Sequence, residues 1–446
     1  MQDLQDQQAP QSEQIRELRR LRRVEQQRKR KLHIRIVAGV VLVILVLSAI
    51  LIVRGLKRKN AQELQPETPA QPEQTEQVKL PVLLPTESDT VIHVAAVGDI
   101  MISDELLADA LQANGSYDFS GSFTAVSGMI AAADLAIGNL ELNFCGEPYE
   151  GKPTYRAPES LALCLSTMGF DVLQTANSCS IANGLAGLKS TIDYLGLAGI
   201  DHVGTYASEA ARNESGGVLI RTVNGIRIAI LGYTKGLAGL QLPEGTEYAV
   251  DLLYSDYASD FTKINQDAIV RSVEAAKAQN PDVILAMLHW GSEADRSVTK
   301  SQEKIATLLF ENGVDAIVGS HSHMAGPMKK LSVTTVDGTV KDCFIAYSLG
   351  NFFSSMGENA ARTCQESLIL DLEFTKSSET GDTSLSNVTY TPLYLADEGE
   401  TKTPRYEILP IRSAINSGLF PELKQTMTDA IAHLRTNTDS DFDSGK

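Results

Sequence analysis

The chain has little sulfur with which to hold a metal or staple a fold. Its five cysteines (Cys145, Cys164, Cys179, Cys343, Cys364) include no CxxC pair and are odd in number. The spacing of a CxxC zinc site is therefore absent, and at least one thiol is unpaired or pairs between chains. Cys145–Cys164 and Cys343–Cys364 are possible bridges, with the pairing left open. Cationic residues are scarce over most of the length. Of the net charge of −17, residues 1–59 contribute +9, from 14 Lys/Arg against 5 Asp/Glu, which leaves −26 for the rest. So acidic a body repels phosphate backbones and excludes general nucleic-acid binding. It favours solubility and cation binding. There is one tryptophan, Trp290, and no internal repeat. Trp290 is expected to anchor a core or wall a pocket.

What the first 90 residues do contain is an uncharged run. Residues 36–53 hold 18 residues without a charge, long enough to cross a bilayer with slight mismatch. Ten basic residues precede it between Arg16 and Arg35, and Arg54, Lys57, Arg58 and Lys59 follow. The positive-inside bias places the N-terminus in the cytoplasm and exports the remainder. The leading segment is long, and a basic cluster rather than an A-x-A site follows the run, which disfavours a cleaved signal peptide. The expected organisation is a basic cytoplasmic segment (1–35), a transmembrane helix (36–53), an extended linker (54–90), an extracellular domain (91–435) and a frayed tail (436–446). Residues 60–86 are rich in Gln, Glu, Pro and Thr and cannot bury enough apolar surface to fold.

From residue 91 the pattern becomes that of short apolar strands rich in branched residues, as expected of strands covered on both faces. They are predicted at 91–97, 134–137, 171–175, 226–232, 283–288, 316–318 and 344–347. Helices are predicted between them, at 185–197 and at 301–312. The latter opens with Thr299 and Gln302 at capping-box spacing and closes on Gly313. Alternation of this kind implies an α/β fold. Residues 367–395 read as an antiparallel pair, and 420–434 as a terminal helix.

Six polar motifs stand where these strands end: VGDIM (97–101), GNLE (138–141), ANSC (176–179), HWGSE (289–293), GSHSH (319–323) and SLGNF (348–352). Ligand sites of open α/β sheets form outside the carboxyl ends of strands. Three of the seven histidines fall in these motifs. In GSHSH, His321 and His323 stand two apart in a loop opened by small residues, so both can approach one metal centre. Neutral imidazole suits Zn, Mn or Fe. HWGSE adds His289 as a ligand and Glu293 as a carboxylate beside the site that supports a ligand or contacts the substrate. VGDIM and GNLE add the hard oxygens of Asp99 and Glu141, with Asn139 between them.

The order of these motifs resembles the capsule-synthesis CapA family, associated with poly-γ-glutamate capsules, which is similar to the calcineurin-type metallophosphoesterases. The resemblance runs from about residue 91 to residue 355. It implies a metallophosphatase-like double β-sheet sandwich flanked by helices, with one or two divalent ions (Mn, Zn or Fe) at one edge. It implies Asp99, Glu141, His289, His321 and His323 as metal ligands, and Asn351 at the pocket floor. Asn177, Cys179 and Glu293 take the catalytic positions. The third motif departs from the family's Asn-Asn-His, which has an Asp three residues later. Here Asn177, Ser178, Cys179 and Ala182 occupy those places. The expected function is a membrane-anchored protein of capsule or envelope-polymer biosynthesis, with a partly eroded hydrolase site and membrane-protein partners. Its ligand is an anionic polymer or a phosphoester. The alternative is an active metal-dependent phosphoesterase at the cell surface.

Overall fold

A computed structural model describes residues 88–355, 362–399 and 401–445. The expected membrane span, residues 36–53, and most of the linker lie outside the described residues. Among the described residues no helix is long and apolar enough to cross a membrane.

The strands are β1 (Thr90–Ile100), β2 (Leu135–Leu140), β3 (Val172–Gln174), β4 (Asp201–Val203), β5 (Leu219–Val223), β6 (Ile226–Thr234), β7 (Val283–His289), β8 (Ala316–Ser320), β9 (Met328–Thr334), β10 (Val340–Ala346), β11 (Asn351–Phe353), β12 (Glu366–Lys376), β13 (Thr383–Asp397) and β14 (Tyr406–Pro410). The helices used below are α1 (Asp104–Ala110), α2 (Ser127–Ala131), α3 (Ser160–Met168), α4 (Gly184–Ala198), α5 (Glu209–Ser215), α6 (Gln266–Lys277), α7 (Lys300–Glu311), α8 (Ile411–Ser417) and α9 (Lys424–Asn437).

Two mixed sheets result. One runs β14–β13–β12–β1–β2–β3–β4, with the short β11 also beside β1; the other runs β5–β6–β7–β8–β10–β9. In the first, β1 to β4 are parallel while β12 to β14 are antiparallel. In the second, β6, β7, β8 and β10 are parallel and the hairpin strands β5 and β9 close the edges. Alternation along each strand decides which layer a side chain joins. Ile92, Val94 and Ala96 of β1 share one buried cluster with Ile228, Ile230 and Leu285 of the other sheet. Ala95 and Val97 point the other way, onto Leu106 of α1, Ile130 of α2 and Leu165 of α3. The second sheet likewise buries Ala229, Leu231 and Ala286 under Val273 of α6 and Leu309 of α7. The product is the expected sandwich of two sheets flanked by helices.

The capping box at α7 is present, with Thr299 and Gln302 each bonded to the other's backbone. Three expectations need correction. All five cysteines are free, so neither candidate bridge forms. The tail does not fray: Phe442 joins the sandwich core with Met427 and Leu434 of α9. The Asp443 carboxylate is buried between Arg412 of α8 and Arg435 of α9, at 2.5 and 2.6 Å. An isolated aromatic in a polar run gave no periodic signal, yet its burial and those ion pairs hold the described residues that follow α9. Finally, the strands exceed the expected set by the β5 and β9 edges and the short β4, β11 and β14.

Candidate metal centre

The carboxyl ends of β1, β2, β7 and β8 converge, and Asp99, Glu141, His289, His321 and His323 meet there, none more than 6% exposed. The two sheets are joined at this edge by the SLGNF segment. Leu349 N–H donates to the Gly319 carbonyl at the end of β8, while the Gly350 carbonyl accepts from Asp99 N–H. Gly98 permits this approach, because a Cβ there would overlap the Gly350 carbonyl oxygen.

The GSHSH loop is bent by left-handed backbone at both histidines, φ 99° at His321 and 59° at His323. Such conformations are uncommon outside glycine and cluster at functional sites. The bend brings the His321 ring to 4.3 Å from that of His289 and 6.2 Å from that of His323. His323 Nδ1 is 3.2 Å from an Asp99 carboxylate oxygen and 3.0 Å from Asn351 Oδ1. His289 Nε2 lies 3.0 Å from Glu141 Oε1, without the alignment of a hydrogen bond, and both it and His321 Nδ1 are buried without a hydrogen-bond partner. Asn139 Nδ2 donates to Asp99 at 2.7 Å.

The electrostatics follow from this packing. Burial alone would raise the Asp99 carboxyl, but His323 and then His289 outweigh it and hold it below the ordinary range. Glu141 behaves likewise, with burial overcome by His289. For His323, burial is overcome by its hydrogen bond to Asp99, and its pKa rises to about 9. Burial, with His289 adding to it, drives His321 well below the ordinary imidazole range.

Three groups bring ligand atoms within 4.8 Å of one another: Glu141, His289 and His321; Asp99, Glu141 and His323; and Glu293, His321 and His323. Buried imidazole nitrogens lacking a partner, set among carboxylates, are what a divalent cation satisfies. The residues present therefore fit a metal. All five expected ligands are brought together, and Glu293 stands at the exposed side.

The third motif does something else. Asn177 was expected at the reacting centre, but its Nδ2 donates to Asn139 Oδ1 (3.0 Å) and the Leu140 carbonyl (2.7 Å), and its Oδ1 accepts from Cys179 N–H (3.1 Å). Its amide is engaged in holding loops together rather than offered to a ligand. Cys179 does face the cavity beside the cluster, with Ser178 and Ala182. Burial, followed by the charges of Glu141, Asp99 and Glu293, pushes its thiol well above the ordinary value. It is thus neither a thiolate nor a ready proton donor. The cavity measures about 690 Å³ and is also lined by Lys152, Tyr155, Leu240 and Glu293.

The profile of the family described as "Bacterial capsule synthesis protein PGA_cap" matches residues 93–356, more than half of the chain. The chain belongs to this family. The PGA biosynthesis protein CapA of Bacillus subtilis (strain 168) is 28% identical to the chain over 291 residues, 62% of this chain and 67% of that protein. The capsule biosynthesis protein CapA of Bacillus anthracis is 27% identical over 273 residues, 58% of this chain and 59% of that one. A 5′-nucleotidase precursor from Thermus thermophilus aligns with TM-score 0.39 and 14% identity, over 72% of this chain and 54% of its own. All the ligand-type residues of the site lie within the stretch that the PGA_cap profile matches.

Sequence reasoning missed two side chains at this site. Thr234, at the end of β6, contacts His289 Nδ1 at 3.2 Å. Lys235 holds the HWGSE loop by two bonds, its N–H to the His289 carbonyl (2.8 Å) and its Nζ to the Gly291 carbonyl (2.5 Å). A lone Thr-Lys pair after a strand carries no motif; only its place beside the HWGSE strand could have marked it.

Proposed function

We propose that this chain serves the synthesis or export of an anionic capsule polymer of the poly-γ-glutamate kind, from the outer side of a membrane crossed by residues 36–53. Family membership and the names of the two Bacillus relatives support the polymer. The charge distribution supports the orientation. In this reading the pocket is a divalent-metal site of reduced catalytic power, and membrane proteins of the same pathway are its partners.

The observation that carries the proposal is the burial of five ligand-type side chains in one cluster, from which Glu141 and His323 reach the wall of a cavity of about 690 Å³. Glu141, His289 and His321 would hold one ion, with Asp99, His323 and Glu293 beside it. A bound ion of this kind polarises a substrate oxygen and lowers the pKa of bound water. Asp99 keeps His323 oriented, and Asn351 fixes its ring from the other side. Asp104, Glu105, Glu141 and Glu293 line the same cavity as Lys152, so an anionic chain needs a cation between itself and these carboxylates. The weak step is proton delivery to a leaving oxygen. Cys179 stands at the imidazole's place in the family motif with a thiol that stays protonated, and losing an acid/base group typically costs on the order of 10²–10⁴ in rate.

Elemental analysis of the full-length protein, purified in detergent, tests this together with phosphodiesterase assays in Mn²⁺ or Zn²⁺. Retained metal with negligible turnover is the expected result. Two ions with brisk turnover would establish the active-phosphoesterase reading instead, and failure to take up either ion would end the metal proposal.

A further inference from the structure

The metal reading leaves open which nitrogen of each imidazole is offered to the ion, and the hydrogen bonds behind the rings settle this. Thr234 Oγ1 donates its only proton to the Gly236 carbonyl at 3.0 Å. Toward His289 Nδ1, 3.2 Å away, the hydroxyl can then only accept. The proton on that ring must sit on Nδ1, so Nε2 carries the lone pair. That Nε2 is the buried atom facing Glu141 without a hydrogen-bond partner.

The same logic holds at His323 with different partners. Asn351 Nδ2 donates to the Cys364 carbonyl at 3.2 Å, which fixes the amide's orientation and turns its Oδ1 toward His323 Nδ1 at 3.0 Å. An Asp99 carboxylate oxygen, also an acceptor, lies 3.2 Å from that nitrogen. The neutral His323 ring therefore also carries its proton on Nδ1, so that loss of the second proton frees Nε2, and its side chain lines the cavity.

We infer that Thr234 is a positioning residue that selects the metal-binding nitrogen of His289, acting at the ring's far side. This rests on the metal reading above. It reaches a residue outside all six sequence motifs. The segment around it is arranged to the same end. Thr234 and His289 are register partners across β6 and β7. Lys235 N–H holds the His289 carbonyl, and its Nζ holds the Gly291 carbonyl. Thr234 itself is fully buried, so water cannot replace its hydroxyl as the acceptor. Without that acceptor the Nδ1–H would be buried unpaired, and the carboxylate charge of Glu141, 3.0 Å from Nε2, would then favour the ring protonated on Nε2, the state that cannot bind a metal there.

The test uses full-length protein with Thr234→Val and Thr234→Ser. Valine keeps the shape and removes the hydroxyl; serine keeps the hydroxyl and removes the methyl. Zinc affinity, measured by titration of the metal-free protein, is expected to fall roughly 10–100-fold in the valine variant, the usual loss on removing a ligand's supporting hydrogen bond. The serine variant should stay within a few-fold of the parent. A long-range proton–nitrogen spectrum of ¹⁵N-histidine-labelled protein at alkaline pH reads the tautomer directly. It should give Nδ1–H for His289 in the parent and Nε2–H in the valine variant. An Nε2–H tautomer in the parent, or equal zinc affinity in parent and valine variant, overturns the inference. Equal losses in the serine and valine variants also overturn it, since the methyl group's packing would then be responsible. If the parent takes up no zinc at all, the metal reading fails while the spectrum still decides the role of Thr234.

Discussion

The GSHSH loop after β8 and the ANSC loop after β3 occupy corresponding places, each at the carboxyl end of a parallel strand facing the same cavity. They treat their polar atoms in opposite ways. In GSHSH the backbone is forced into left-handed conformations, and both imidazoles face the cluster of Asp99 and Glu141. In ANSC the Asn177 amide satisfies Asn139, Leu140 and Cys179 within the protein. One loop leaves lone pairs for a ligand; the other closes on itself. Position at a strand end is thus not sufficient for a site. What distinguishes a site is a buried polar atom whose partner the fold does not supply.

The sharpest way to break this contrast is to refill the closed loop. Ser178→Asn, Cys179→His and Ala182→Asp combined restore the residue types of the family's third motif. All three positions line the cavity. If the closed loop limits the chemistry, phosphodiesterase turnover should rise by about 10²–10⁴, with little change in thermal stability. No gain in any of the metals tested would show that the first and second sheets do not cooperate in hydrolysis here.

The open loop should be far less tolerant. A Cβ on Gly319 would overlap the Tyr347 carbonyl oxygen and lie 2.8 Å from Trp290 Nε1. Trp290 cannot yield, since its Nε1 donates to that same carbonyl and its ring stacks on Tyr347 at 5.7 Å. Gly319→Ala is expected to cost about 3 kcal/mol, the upper range for overpacking, and to release bound metal by displacing His321 and His323. Unfolding midpoint and metal content of the same sample check both. Native stability in that variant would mean the strand end is looser than its packing implies.

Much of this contrast was legible before the structure. Buried parallel strands read as apolar runs, and the polar residues that interrupt them mark their ends, so Asp99, Glu141, His289, His321 and His323 were identified together. The sandwich itself came from strand–helix alternation and the family resemblance. What stayed hidden was whatever depends on direction rather than residue type. Asn177 took a catalytic position from its place in the family's third motif, and only its bonds show it turned inward. Thr234 looked ordinary because a hydroxyl at a strand end acquires meaning only from the ring beside it. The β5–β6 hairpin was readable from Asn224-Gly225, whose positive φ angles of 48° and 82° suit a two-residue turn; it was nonetheless missed.

Within the open loop, the two imidazoles should differ in how they respond to pH, which refines the comparison at its smallest scale. His323 is raised to about 9, since Asp99 outweighs burial. An unfolded histidine titrates near 6.5. Between these values the folded, metal-free protein holds a proton that the unfolded chain has lost. The resulting stabilisation is complete below about pH 6.5 and disappears as pH rises through 9, on the order of 3 kcal/mol at most. His321 shifts the other way. Burial and His289 keep it neutral, so the unfolded chain gains a proton below about pH 6.5 that the folded one refuses, and stability falls on that side. Chelator-treated protein, unfolded by denaturant at several pH values, should therefore lose stability on an alkaline limb that His323→Gln flattens. The His321→Gln variant should leave the alkaline limb intact and relieve the acid one. An alkaline limb unchanged in His323→Gln would mean that the Asp99–His323 pair does not hold its proton, and that the two histidines of this loop are electrostatically alike.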